Sequence, residues 1–504
     1  MRILLISFNS KAINVRSLSS YLKEGGHEVY LVFCPTDFNE TNSSKFVELI
    51  NLLDIKLIGL SLVTDDFKNA KYITRKIKEE FPIPIIWGGA HPSIAPVECL
   101  QYANMVCIGE GEEALLELCN KMDEKADYLS IQNIWFKKNR KIIRNELRNL
   151  IENLDKYPFS DYEFKTHYII TKKGYEKFDE KLLDHGYIIM TSRGCPFSCS
   201  YCYNNYRRKM YAHKGKYLRQ RSINNVLDEL KLAKENLKSI NFISIFDDNF
   251  FMRNINDFKK FSELYINKIN IPFFCIANPS YINEEKIKLL KKCGLINIQI
   301  GVQTGSENVN KNIYNRPISN DVLLNLAKIL YKYDIKVVYD IIFNNPYETK
   351  DNLIETIELL LKLPKPFKLH GFNLIFYPGS GITEKAIKDN YILVNSNPNE
   401  TSTIQGESDS PILSFGSFGK VIQSSRLYQP NFSIEEKIYL NILIGLIPYY
   451  PKFLIKYLMH KDKLGKILLK FNLLYLTYLL FVVLNNPRVP SLNTIKNIVM
   501  KLLK

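Results

Sequence analysis

Tyr187-Ile188-Ile189-Met190-Thr191-Ser192-Arg193-Gly194-Cys195-Pro196-Phe197-Ser198-Cys199-Ser200-Tyr201-Cys202 sets a strand directly before a cysteine loop. Tyr187–Thr191 is all apolar or β-branched, which predicts a buried strand. The loop then offers three thiols, spaced by three and then two residues. Thiolates this close can wrap one face of a polynuclear iron–sulfur centre, and three are one short of a closed four-cysteine cluster. A catalytic metal site keeps such an open position for substrate. Structural zinc is the competing reading. It wants four donors, and His185 or His213 could supply the fourth.

Outward from the loop, strands and helices alternate. Strands are expected at Tyr187–Thr191, Ile240–Phe246, Pro272–Ile276, Ile296–Val302, Lys336–Phe343 and Lys368–Phe376, with helices between them. Six such repeats over 186–390 predict a partial (β/α)6 barrel, with its chemistry at the strands' C-terminal ends. Residues 1–125 give five further strand–helix repeats. That predicts an α/β, doubly wound, flavodoxin-like parallel sheet with its ligand at the carboxyl ends of the strands. Residues 126–185 read as a linker with a hairpin around Lys137–Arg140. Residues 391–504 read as a mainly α-helical C-terminal domain.

The 504 residues are 46% hydrophobic and 24% charged, which excludes wholesale disorder and fibrous classes. Nine cysteines, an odd number, argue against a disulfide framework and for a reducing compartment. No secretory signal precedes Ile3, so the expected location is cytoplasmic. Half of the +16 net charge falls in 431–504, with 11 Lys+Arg against 3 Asp+Glu. The excess sits in an apolar tail without a nucleic-acid-binding motif. This points to a solvated surface or to peripheral contact with an anionic membrane, and not to nucleic acid. Phe471–Leu484 carries no charge over 14 residues, short of the ~20 needed to span a bilayer.

The loop Arg193–Cys202 resembles the C-x3-C-x2-C signature of the radical S-adenosylmethionine (SAM) superfamily. The resemblance implies that Cys195, Cys199 and Cys202 hold a [4Fe–4S] cluster whose fourth iron binds SAM. It implies SAM contacts from Tyr201 to adenine and from Asp247 and Asp248 to the methionine amino group. Gln303 and Thr304 stand where the family often has Glu-Ser, and Asp340 is placed for the ribose. Asn344–Thr349 replaces a Gly-Leu-Pro-Gly-Glu-Thr turn, and asparagine tolerates the backbone angles such a turn needs.

The N-terminal strands end in small and hydroxylic residues: Ser61 to Thr64, Gly88-Gly89-Ala90-His91 and Gly109-Glu110-Gly111-Glu112. Such ends let a large ligand approach the backbone. Gly109–Ala114 fits a dinucleotide fingerprint formally, but it follows the last strand, and its carboxylates would repel a pyrophosphate. These segments resemble the cobalamin-binding domain fused to one large radical SAM class, with Ser61, Thr64, Gly88, Gly89, Glu110 and Gly111 at the corrin. The Asn9–Asn14 loop lacks the histidine that ligates cobalt in many such domains. His91 reads as a packing residue and His27 as a structural one at a turn.

Together the resemblances imply a class B radical SAM enzyme. It would cleave SAM reductively to a 5′-deoxyadenosyl radical and methylate an unactivated carbon through methylcobalamin. They also imply a flavodoxin- or ferredoxin-type electron donor and a small-molecule or lipid-like substrate. The rival expectations are a radical SAM cyclase or rearrangement enzyme, a radical SAM enzyme whose first domain holds no corrin and serves for docking, and a non-enzymatic cobalamin or redox sensor.

Overall fold

Two large sheets organise the computed structural model, which describes residues 1–391 and 434–459. In the first, β1 (Arg2–Ser7), β2 (Glu28–Phe33), β3 (Leu57–Ser61), β4 (Ile85–Gly88) and β5 (Met105–Cys107) run parallel in the order β5-β4-β3-β1-β2. This is the flavodoxin-like order expected. β1 shows why it forms. Ile3 and Leu5 face a core shared with helices Ile13–Glu24 and Glu112–Asp123, while Leu4 and Ile6 face one shared with Glu40–Leu53 and Phe67–Glu80. A strand covered on both faces has no polar side to alternate with.

The expected linker differs in the structure. β6 (Ile134–Lys138) pairs antiparallel with β5, and β7 (Lys141–Ile143) closes the hairpin. At the other edge β8 (His167–Thr171) joins β2 in parallel, and β9 (Gly174–Lys177) folds back on it. Residues 126–185 thus bring the sheet to nine strands. They cover edges that would otherwise expose unpaired backbone groups, and they bury Ile134, Phe136 and Ile170.

The second sheet contains β10 (Gly186–Ile189), then, beyond the short antiparallel pair β11 (Ser192–Arg193) and β12 (Arg219–Gln220), β13 (Phe242–Ile245), β14 (Phe273–Ala277), β15 (Leu295–Gln303), β16 (Lys336–Phe343) and β17 (Lys368–Asn373). The six long strands are all parallel in the order β10-β13-β14-β15-β16-β17. β10 and β17 do not pair, so the arc is open, as a partial barrel requires. Five of its helices start at Ser222, Asn254, Asn283, Ser319 and Thr349, each accepting a backbone N–H from the first turn. These caps fix where each strand-to-helix loop ends.

Helices Ile434–Leu446 and Lys452–Met459 pack on each other, and the first packs on Lys350–Lys362. No helix among the described residues is long and apolar enough to cross a membrane. Phe471–Leu484 and most of the expected C-terminal domain lie outside the described residues.

Candidate active site

The carboxyl ends of the two sheets open onto one cavity of about 270 Å³. Ser61, Gly88, Gly89, Gly109, Glu110 and Gly111 line it from the first sheet, and Met190, Ser192, Gly194 and Asp248 from the second. Gly89 has φ +102, and a Cβ there would stand 2.7 Å from the Leu62 carbonyl oxygen, so only glycine fits. Asn14 Nδ2 donates to Ser61 Oγ at 2.5 Å, holding the first helix against the β3 end. Thr64 does not line the cavity; its Oγ1 lies 3.3 Å from His91 Nδ1. His91 is 5% exposed and packs on Phe67, and burial pulls its pKa down to about 4. It stays neutral and does not line the cavity, in keeping with a packing role. His27 sits between the Met1 amino group and Asn120, a structural placement.

The cysteine loop is pinned at several points. Ser200 donates from its backbone to the Tyr314 carbonyl (2.9 Å) and from its hydroxyl to Ile313 (2.6 Å). Arg208 donates to the Pro196 carbonyl (2.7 Å) and to Ser198 Oγ, and Asn315 donates to the Ser198 carbonyl. Cys199 is buried, and Cys195 and Cys202 are half-buried. Burial pushes the Cys195 and Cys202 thiols up to about 12, and both feel the charge of Cys199. Three thiolates gathered this way need a positive centre to compensate them. Among the described residues no group of three His, Cys, Asp or Glu side chains is placed to hold a metal ion. His185 lies at the entry to β10, bound to the Ser239 carbonyl, at the end remote from the loop. Three soft donors on a braced loop suit a polynuclear iron–sulfur centre.

Glu110, expected at a corrin, lines the cavity, and its carboxylate accepts hydrogen bonds from Arg193 (3.1 Å), Arg207 (3.1 Å) and Arg219. Burial raises its pKa, but Arg193, Arg219 and Arg207 outweigh this and hold it at about 2. Arg193 also donates to Glu112 (2.6 Å) and lies over the Tyr157 ring. The Glu110 N–H donates to Tyr211 Oη at 2.7 Å. These contacts bolt the first sheet to the cysteine loop and the helix after it, and they leave Glu110 little capacity for a ligand.

The expected SAM contacts divide in the same way. Asp247 is 1% exposed, and both its oxygens are occupied: Oδ1 by the Thr191 and Ser192 N–H groups, Oδ2 by their hydroxyls. It clasps the β10 and β13 ends together, and burial raises its pKa. Asp248 instead opens to the cavity beside Cys195 and Cys202. Thr304 is 1% exposed, bound to Thr356 and to the Ser306 N–H. Gln303 has φ +72 at a break in the β15–β16 register, and its amide folds over Gly301. Asp340 accepts two hydrogen bonds from Gln299. Tyr201 packs edge-on to Tyr314 at 5.0 Å and hydrogen-bonds Cys199.

Residues 189–360 match the profile of the radical SAM superfamily, and residues 3–119 match that of the B12 binding domain. The chain carries a B12-binding domain followed by a radical SAM domain. Among curated proteins it is 24% identical over 358 residues to an uncharacterised methyltransferase of Pyrococcus horikoshii, covering 69% of this chain and 73% of that one. Among solved structures it shares the fold of the radical SAM methyltransferase TsrM from Kitasatospora setae, solved with tryptophan and a SAM analogue. The TM-score is 0.66 at 16% identity over 80% of each chain. It also shares the fold of OxsB, solved with aqua-cobalamin and SAM, at TM-score 0.59 and 19% identity over 77% of this chain and 55% of that one.

The structure adds residues to which the sequence gave no role. In the B12-binding domain this is Asn14, while Gly109, already read as part of a small-residue strand end, has φ +78 and packs under the Tyr211 hydroxyl. In the radical SAM domain they are Arg193, Arg207 and Arg219, which anchor the junction, and Gln299 and His370, which flank Asp340. The glycine-rich strand ends were a signal for the former. Nothing in local spacing pairs the latter.

Proposed function

We propose that the chain is a cobalamin-dependent radical SAM enzyme that transfers a methyl group to an unactivated carbon of a small molecule. The observation that carries this reading is the shared cavity, in which Gly194 and Asp248 beside the cysteine loop face Gly88, Gly89 and Gly109 of the B12-binding domain. When bound, the cluster supplies the electron that cleaves SAM, and cobalamin carries the methyl group.

The chain's own residues do the rest. Cys195, Cys199 and Cys202 would hold the cluster. Asp248, open to the cavity, offers a carboxylate to the ammonium of SAM. Asp247 keeps the β10 and β13 ends at fixed spacing, so that Asp248 and the loop stay in register. Ser61, Gly88, Gly89 and Gly111 leave backbone exposed to a macrocycle. The Glu110 cluster fixes one domain over the other, so that both groups would meet the same substrate.

Anaerobic reconstitution followed by mass spectrometry tests this. Reductant and SAM should give 5′-deoxyadenosine and S-adenosylhomocysteine, and Cys199→Ala should abolish both. The protein should also acquire a corrin absorption band. Wild-type protein that forms neither product under these conditions sinks the reading.

A further inference from the structure

The face of the second sheet turned away from its helices carries side chains that the site above does not use. Along β13 to β16, residues buried under the helices alternate with half-exposed ones. Strand periodicity then turns Phe246, Phe274, Gln299 and Asp340 into the concave lumen. His370 pairs with Asp340 in the β16–β17 register and shares that face. Phe246 is 44% exposed, and its ring lies 5.8 Å from that of Phe274. Neither ring belongs to or packs on a described hydrophobic core cluster. Two adjacent aromatic rings kept out of the core form an apolar wall suited to a ligand.

The opposite wall is polar and braced. Gln299 Nε2 donates to both oxygens of Asp340, at 2.8 and 3.0 Å. Asp340 is 8% exposed, and His370 Nδ1 stands 3.5 Å from its Oδ1. The His370 ring rests on Phe372, with centroids 4.2 Å apart, and its side chain is 47% exposed. A carboxylate facing Nδ1 favours the tautomer with the proton there, leaving Nε2 as an acceptor. The cation on this face of β17, Lys368, stands at the strand's other end. Met190, which follows β10, lines the cavity between the domains, so that cavity reaches the edge of the same arc.

We propose that this lumen binds the substrate, and that the substrate is a planar, largely apolar molecule with a hydroxyl or N–H group. Its ring lies against Phe246 and Phe274, and its donor bonds to His370 Nε2. Asp340 and Gln299 are positioning residues that fix the imidazole. An anionic ring substituent is disfavoured by Asp340. The inference names the substrate class for the proposed function and rests on that reading for the reaction, not for the binding.

The test uses full-length, anaerobically reconstituted protein and three fluorescent probes: 2-naphthol, its ether 2-methoxynaphthalene, which lacks the donor, and 2-naphthoate, an anion. 2-Naphthol should bind about tenfold more tightly than the ether, the effect of one hydrogen bond, and 2-naphthoate most weakly. His370→Ala should erase the preference, and His370→Gln should restore part of it. Phe246→Ala should weaken both neutral probes alike. Asp340→Asn should reduce the preference and shift the His370 ring-nitrogen NMR signals toward a mixture of tautomers, because the carboxylate that holds the proton on Nδ1 is gone. Thermal midpoints check that each variant is folded. Equal binding of naphthol and ether to wild-type protein, a preference that survives His370→Ala, or no binding at all overturns the proposal. Formation of 5′-deoxyadenosine by the same wild-type preparation is scored separately. Its absence overturns the proposed function and leaves the probe result to decide the lumen.

Discussion

Glu110, in the loop after the strand β5, accepts a hydrogen bond at 3.1 Å from Arg193 of β11, although the two lie 83 positions apart. Arg193 precedes Cys195 by two residues, so the end of the first sheet is tied to the base of the cysteine loop. Removing the carboxylate leaves buried guanidinium groups without their counter-charge. Glu110→Gln should therefore cost about 3 kcal/mol, read from urea unfolding. The pH dependence follows from the pKa, about 2 in the fold against an ordinary 4.5. The contribution is complete above pH 4.5 and fades as pH falls toward 2. In the variant that acid-sensitive part of the stability curve should be flat. An unchanged curve would show that the cluster does not hold the domains.

Asp247 and Asp248 are neighbours with opposite expected phenotypes. Asp247→Ala strands four donors around Thr191 and Ser192, and should lower stability by about 2–4 kcal/mol. Asp248→Ala, which faces the cavity, should change stability by under about 0.5 kcal/mol and weaken SAM binding roughly tenfold. Calorimetric titration with SAM, alongside thermal unfolding, separates the two. A reversed pattern would move the ligand contact to Asp247.

What the sequence disclosed and what it hid follows from distance along the chain. The cysteine loop was legible because its three donors lie within eight residues and the strand before it is continuous. The caps at Ser222, Asn254, Asn283 and Ser319 are of the same local kind, each a hydrogen bond to a residue three positions on. The ion pairs of Glu110 were hidden because its partner Arg219 lies 109 positions away. Asp247 shows the same limit: a carboxylate at a strand end looks identical in sequence whether it meets a ligand or the strand beside it. The hairpin β6–β7 around Lys137–Arg140 was legible, but its pairing with β5 and the edge strands β8 and β9 were missed, because pairing, not composition, makes a short polar-flanked run into a strand.

His91 is buried and neutral, with its pKa at about 4 against an ordinary 6.5. Protonation therefore favours the unfolded chain. Its contribution is complete above pH 6.5 and is lost as pH falls through 4. His91→Gln should remove that dependence, roughly 3 kcal/mol between pH 7 and pH 4, by thermal unfolding across pH. It should leave the corrin spectrum of reconstituted protein unaltered, because the imidazole packs on Phe67 and does not line the cavity. A shifted cobalt spectrum would make His91 a ligand after all.

Gly89→Ala places a methyl group 2.7 Å from the Leu62 carbonyl and 3.2 Å from Ser61 Oγ, at φ +102. The first neighbour is backbone and cannot rotate away, so the β4 end must shift. A loss of about 1–3 kcal/mol is expected. Corrin uptake, measured by absorption after desalting, should fall further than the stability loss explains, because Gly89 lines the cavity. Uptake that tracks the folded fraction alone would place the macrocycle elsewhere.

Lys437, on helix Ile434–Leu446, donates to the Asn345 carbonyl at 2.6 Å in the turn after β16. Glu348, in the same turn, is 2% exposed and feels the Lys437 charge. Burial lifts Glu348 to about 7 and lowers Lys437 to about 8, so each is pushed toward its neutral form and held back by the other. Lys437→Met removes that restraint and leaves a buried carboxyl alone, at a cost of about 3 kcal/mol. If the pair chiefly offsets its own burial, then Lys437→Met with Glu348→Leu should be more stable than Lys437→Met by itself. A double-mutant cycle on thermal unfolding decides this. A loss under about 0.5 kcal/mol for Lys437→Met would mean that the helix does not rest on the β16 turn. A large loss rescued by the second change would make it an integral wall of the radical SAM domain.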